Sequence, residues 1–194
     1  PAHSRMALPY WLSGQIPREQ TYTADDDYFQ KLNVDTKIGA RVEKIDAQAK
    51  SLTLCDGSTL GFDKLLIATG ASSVSPPIPG SDVPGVQSLW TLSDTEQLLN
   101  GTDGNAKPRV LMIGAGFIGF IMLNAMHKRG WELSVVERET HVLPRMLDAD
   151  SAGIVEAWLK TKHVTLHTGT EVERVEKTED AFRVTATGEG GSRT

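Results

Sequence analysis

Three glycines in the run Gly114-Ala-Gly116-Phe117-Ile118-Gly119 are followed, 23 positions beyond Gly114, by Glu137 and then Arg138. These types and spacings could recognise the pyrophosphate and ribose of a dinucleotide. Gly114 permits a tight turn, Gly116 lets the backbone approach phosphate oxygens, and Gly119 lets a helix pack close to its strand. Free N–H groups in the first turn of that helix, around Phe117 and Ile118, would hold the phosphate charge with help from the helix dipole. Glu137 would accept hydrogen bonds from the adenosine ribose. Its carboxylate would repel a 2′-phosphate, so NAD(H) is favoured over NADP(H). Arg138 complicates that preference, because arginine can pair with such a phosphate.

This chemistry needs a strand before the glycines, a helix after them and a second strand ending at the acid. Arg109–Ile113 reads as a buried strand, and a helix runs on to about Arg129, where Gly130 stops it. Glu132–Val136 reads as the second strand. Another run, Gly61–Gly70, reads as an apolar strand ending in Ala68-Thr69-Gly70. Small residues at that end would let a ligand lie against the sheet.

The chain also repeats itself. Val34–Asp46 aligns without gaps on Val164–Glu176, pairing Val34 with Val164, Gly39 with Gly169, Val42 with Val172 and Glu43 with Glu173. Every pair is 130 positions apart. Each copy follows a candidate helix (Asp25–Leu32; Asp150–Lys162) and leads into a short strand (Ser51–Leu54; Phe182–Ala186). The gapless register predicts a duplicated unit. Carried back by the offset, the Gly114 motif falls before Pro1. Carried forward, Leu65–Gly70 falls beyond Thr194. The chain, which opens on Pro1 and not on methionine, therefore reads as a central fragment of a longer protein.

Composition narrows the function classes. The 194 residues are 39% hydrophobic and 23% charged, as in a globular protein with a core. A net charge of -5 gives no footprint for nucleic acid. The uncharged stretch Val110–Met126 is shorter than the roughly 20 residues of a membrane helix, so no membrane partner is expected. The single cysteine rules out an internal disulfide or dithiol centre and fits a cytoplasmic location.

Leu65–Gly70, the Pro76-Pro-Ile-Pro-Gly80 loop, Gly114–Gly119, Glu137 and Leu143-Pro-Arg145 together resemble the pyridine nucleotide–disulfide oxidoreductase superfamily. The similarity is greatest to its NADH-dependent rubredoxin, ferredoxin and nitrite reductase types. The resemblance implies an α/β, Rossmann-like three-layer fold with two related dinucleotide-binding domains, both incomplete here. Residues 1–104 would be part of the FAD-binding domain and 105–194 part of the NAD(P)-binding domain. It implies hydride transfer from NADH to FAD, then electron transfer to a redox protein or small-molecule acceptor. Ala68, Thr69 and Gly70 would lie at the FAD, Val42 beside its adenine through the backbone, Arg5 near the flavin and Arg145 near the NADH. The resemblance leaves room for a homodimer of the full-length protein.

Two departures bear on the chemistry. The thiol branch of the superfamily carries a redox cysteine just before Ala/Gly-Leu-Pro-Tyr, where this chain has Met6. Methionine forms no thiolate, so chemistry without a redox-active cysteine is expected. Arg5 matches the ferredoxin reductase branch, but the lysine position of that branch is Tyr10. Many members carry glutamate where this chain has Ile121, so no acid–base residue is assigned.

The remaining candidates have simpler readings. Cys55, at the end of a strand before Asp56-Gly57, reads as a packed structural cysteine. His163 and His167 would sit about 13 Å apart on one strand, too far to share a metal ion. Trp158, with Ile154, Val155 and Leu159, has the spacing of a helix core face. Asp25-Asp26-Asp27 reads as a solvated helix start. Two further function classes stand beside the flavoprotein reading. One is an NAD(H)-binding fragment without flavin or activity; the other is a thiol–disulfide reductase of the same fold.

Overall fold

The apolar run Leu133–Val136 becomes the middle strand of a parallel sheet in the computed structural model, which describes residues 2–25, 27–104, 107–188 and 191–193. In chain order the elements are α1 (Leu8–Leu12), α2 (Tyr28–Lys31), β1 (Val42–Asp46), β2 (Ser51–Leu54), β3 (Thr59–Gly61) and α3 (Leu92–Gly101). There follow β4 (Arg109–Ile113), α4 (Phe117–Lys128), β5 (Glu132–Val136), α5 (Ala149–Thr161) and β6 (Thr165–His167). The last three are β7 (Thr170–Lys177), β8 (Phe182–Gly188) and β9 (Gly191–Arg193). They form two compact units, one over Ala24–Ser72 and one over Ala2–Thr23 with Ser73–Thr194.

In the larger unit β4, β5 and β6 form a parallel sheet in that order, with α4 and α5 as the connections between consecutive strands. This is the Rossmann-like βαβ arrangement that the glycine motif requires. The core lies where α1, α4 and α5 meet the sheet. Leu8 and Leu12 of α1, Met122, Leu123 and Met126 of α4, Val135 of β5 and Leu159 of α5 are all buried there. The Arg129 side chain donates to the Leu12 carbonyl, which ties the end of α4 to the end of α1. Strand β4 has the predicted bounds but is only half buried. Val110 and Met112 pack on the core, while Leu111 and Ile113 point the other way and stay exposed. It is an edge strand here, and the strand period of two sends alternate side chains to a face that nothing among the described residues covers.

Strands β7, β8 and β9 form an antiparallel sheet whose buried residues, Val172, Val175 and Ala186, pack with Val136 and with Ile78, Val83 and Val86. The proline-rich loop is fastened to it: the Val175 N–H donates to the Pro79 carbonyl at 2.9 Å. Gly80 follows with φ +86°, so close to the Val175 carbonyl that a side chain there would overlap it.

The smaller unit is an antiparallel meander, β1–β2–β3, closed by the Asp56-Gly57 turn in which Gly57 has φ 80°. Its strands repeat the local geometry of β7–β8. Each first strand is irregular at one glutamate, between Val42 and Lys44 and between Val172 and Arg174. The lead-in matches too. Val34 N–H donates to Phe29 and Val164 N–H to Leu159, while Asn33 and His163 share a left-handed backbone with φ 52° and 56°. All of these pairs keep the 130-residue offset, so the duplication is a structural one.

Several expectations are corrected. Residues 65–70, all exposed, form no strand, because a strand exists only when a neighbour takes its hydrogen bonds and none among the described residues does. Helix α2 covers only Tyr28–Lys31. Asp25 and Asp27 are exposed and pair with Lys31 at 2.8 and 3.0 Å, and Asp26 lies outside the described residues. Cys55 is exposed and not packed, since Leu54 takes the inward position and the chain turns immediately after it. On α5 the inward face is Ala152, Val155 and Leu159. Ile154 and Trp158 fall on its flank, 74% and 47% exposed, and the Lys162 ammonium stands over the indole. His163 is in the turn after α5 and not in a strand.

Candidate dinucleotide-binding site

The site grows from the end of β4. Gly114 turns the chain with φ 97°, a backbone open to glycine alone at low cost, and its N–H bonds the Val136 carbonyl at 2.8 Å. Ala115 is fully buried and held twice: its N–H donates to Glu137 Oε2 at 2.6 Å, and its carbonyl accepts from the Leu143 N–H at 2.9 Å. Gly116 caps α4 with no side chain, and the first helical bond runs from Phe120 N–H to its carbonyl. The N–H groups of residues 116–119 therefore have no protein acceptor among the described residues. A β-carbon on Gly114 or Gly116 would project into open space, where a phosphate has room. On Gly119 it would stand 3.2 Å from the Gly114 carbonyl and 3.2 Å from Met112 Sδ, so this glycine is what allows α4 to lie against β4.

Glu137 is 92% buried and serves as the hub of the turn after β5 (8% of its surface remains accessible). Oε2 holds the glycine loop and Oε1 accepts the Glu139 N–H at 2.9 Å. An ionised carboxylate has about four lone-pair sites, so two bonds leave capacity for a ribose hydroxyl. The backbone of the turn is pinned by the repeat unit: Glu137 N–H to His167, Thr170 N–H to Glu137, and Gly169 N–H to Glu139, at 2.8, 2.9 and 2.8 Å. Arg138 extends outward, its Nη2 3.2 Å from Glu139 Oε1.

The structure ties the glycine loop to Glu137 through the Ala115 N–H and places Phe117 and Ile118, both exposed, on the first turn of α4. Arg145 is exposed in the loop that begins at Leu143. Arg5 is in the larger unit, its guanidinium 4.7 Å over the Trp90 ring, with Met6 and Tyr10 exposed beside it in sequence. Val42 and Ala68–Gly70 are exposed in the smaller unit. Ile121 is half-buried on α4. No three His, Cys, Asp or Glu side chains among the described residues gather as a metal site. No helix among them is long and apolar enough to cross a membrane.

Sequence reasoning missed the clamp formed by Leu143, Gly169 and Thr170. Leu143 takes φ 52°, which no sequence signal assigns to a leucine. Gly169 was legible as the counterpart of Gly39, since both have positive φ.

The family described as pyridine nucleotide-disulphide oxidoreductase matches residues 2–193. The chain is 32% identical over 183 residues to the NADH-dependent phenylglyoxylate dehydrogenase subunit epsilon of Aromatoleum evansii, covering 94% of this chain and 43% of that one. It is 31% identical over 180 residues to an NADH oxidase of Methanocaldococcus jannaschii, covering 90% and 40%. Among solved structures, an NAD-dependent persulfide reductase from A. fulgidus superposes with a TM-score of 0.87 at 32% identity, over 96% of this chain and 36% of that one. The chain spans about two fifths of the length of these curated relatives.

Proposed function

This chain belongs to the pyridine nucleotide–disulphide oxidoreductase family, and on that premise we propose that it serves an FAD-dependent oxidoreductase driven by NADH, with a redox protein or small molecule as electron acceptor. In this reading residues 105–194 hold NADH and residues 1–104 contribute to the FAD site. When bound, the nicotinamide supplies a hydride and the flavin accepts its two electrons for delivery to the acceptor. The protein's task is positioning and electrostatics. The free N–H groups at the start of α4 bind the pyrophosphate, and Gly114 and Gly116 leave room for it. The remaining lone pairs of Glu137 take the ribose hydroxyls, and its charge disfavours NADPH. Arg145 flanks the nucleotide. Arg5, the Val42 backbone and Ala68–Gly70 serve the flavin, and the 130-residue repeat makes Val172 the counterpart of Val42 on the NADH side.

The observation that carries this reading is the 2.6 Å bond from Ala115 N–H to Glu137 Oε2, which joins the phosphate turn to the ribose acid in one rigid piece. Visible absorbance of the purified full-length protein, with calorimetric titration by NADH and NADPH, tests it. Flavin absorbance and tighter NADH binding are expected. A colourless protein that still binds NADH refutes the flavin part. NADPH binding as tight as NADH refutes the stated preference.

The likeness to a persulfide reductase favours one second reading, sulfur chemistry on the same fold. Met6 stands against it, whereas Cys55 is exposed enough to react. Loss of reductase activity both on alkylation of the wild type and in Cys55→Ser would support that second reading, whereas an active Cys55→Ser would refute it.

A further inference from the structure

Arg138 follows the ribose acid and would be the natural partner of a 2′-phosphate, yet its guanidinium is turned onto the next side chain in sequence, with Nη2 3.2 Å from Glu139 Oε1. We propose that Glu139 is a second specificity-determining residue of this site, acting by holding and neutralising Arg138 so that a 2′-phosphate finds this guanidinium already paired. The inference rests on the NADH-site reading above and adds to it a residue that touches neither pyrophosphate nor nicotinamide.

The geometry makes Glu139 suited to this part. Its N–H is bonded to Glu137 Oε1 and its carbonyl accepts from Gly169, so its backbone cannot swing away from the turn. Both side chains are exposed, and the acid stands next to the arginine in sequence and pairs with it. Glu137, Arg138 and Glu139 together carry a net charge of one negative unit, against which a dianionic 2′-phosphate is repelled. Removing the Glu139 charge leaves Glu137 balanced by a guanidinium with no bound anion, and the preference shifts towards the phosphorylated ribose. A bidentate arginine–phosphate contact then becomes available.

Glu139 is a positioning residue, so its test must separate it from direct contact with the nucleotide. The full-length protein is titrated with 5′-AMP and with adenosine 2′,5′-bisphosphate, which differ by the 2′-phosphate alone. Glu139→Gln is expected to tighten the bisphosphate about fivefold, the scale of an exposed ion pair, while 5′-AMP changes by less than about twofold. Glu139→Asp, which keeps the charge, is expected to behave as the wild type. The gain is expected to vanish in Arg138→Ala/Glu139→Gln. A gain that persists without Arg138, or no gain at all, overturns the proposal while leaving the NADH site intact. Failure of the wild type to bind 5′-AMP and NADH would instead remove the reading on which the proposal stands.

Discussion

Replacing Glu137 by alanine tests the link between the acid and the glycine loop. The variant removes the carboxylate that accepts the buried Ala115 N–H and the Glu139 N–H. An unsatisfied buried N–H costs about 1–3 kcal/mol. The Glu139 N–H lies at a partly buried turn and reaches water, so it adds less. A net loss of about 2 kcal/mol is expected, which lowers Tm by about 4–8 °C in a chain of this size. On the proposed reading, NADH binding also loses its ribose contact and the support of the phosphate turn. About 1–2 kcal/mol of lost interaction weakens it roughly 5- to 30-fold. NADPH loses less, because the repulsion of its 2′-phosphate disappears as well. Glu137→Gln separates the two roles. Its amide oxygen can still accept the Ala115 N–H, so stability should largely return while the charge, and with it the discrimination against NADPH, does not. Thermal melts and parallel titrations with the two nucleotides give both readouts. Unchanged dissociation constants in Glu137→Ala would refute the ribose role. A Gln variant as unstable as the Ala variant would refute the loop-support argument.

Two other substitutions probe the frame around the site. Gly80→Ala places a β-carbon against the Val175 carbonyl at a backbone of φ +86°, with strain of about 1–2 kcal/mol and the Val175–Pro79 hydrogen bond worth about 1 kcal/mol at risk. The expected loss is about 2–4 kcal/mol by denaturant melts, and a change below about 0.5 kcal/mol would mean the loop is not fastened there. Asp148 caps α5, and the Ser151 backbone and side chain hold its carboxyl below the ordinary 3.8. A depressed carboxyl stabilises the fold above its unfolded value and loses that contribution as pH falls through the folded value. Asp148→Asn keeps an oxygen for the cap, so the wild type should exceed it in stability at neutral pH, with the gap closing well below pH 3.8. A gap independent of pH would contradict the assignment.

Local features were the most legible part of this chain. Strands β4 and β5 fall on the residues read from the sequence, because apolar runs bounded by Pro108, Gly114 and Gly130 leave little choice of bounds. The glycine spacing gave the turn, since Gly114 needs positive φ and Gly119 needs close approach. Features that depend on a partner were not legible. The apolar pattern of Leu65–Gly70 suits a strand, but pairing decides whether one forms. Trp158 and Leu159 differ by one step on α5, and a helix face is chosen by where neighbouring elements lie as well as by spacing. The bond from Leu143 to Ala115 joins residues 28 positions apart through a backbone conformation that leucine rarely adopts. No propensity encodes it.

The duplicated unit turns that distinction into a measurement. Val42 and Val172 occupy the same position beside the same irregularity in copies 130 residues apart, so their local backbone and intrinsic propensity are matched. Their surroundings are not. Val172 is 6% exposed beneath the sheet cluster with Ile78, Val83 and Val86, whereas Val42 is 44% exposed. Truncation to alanine removes about two methylene equivalents, worth about 0.8 kcal/mol each when buried. For Val172→Ala the loss should therefore reach about 2 kcal/mol once a small cavity term is added. For Val42→Ala, nearly half in water already, it should stay below about 1 kcal/mol. Denaturant midpoints of the two variants of this chain measure the difference directly. Equal losses would mean that strand propensity, and not the covering proline-rich loop, sets the stability of the repeat. A loss confined to Val172 would assign that stability to the packing of Ile78, Val83 and Val86 on β7, beside the turn that carries Glu137.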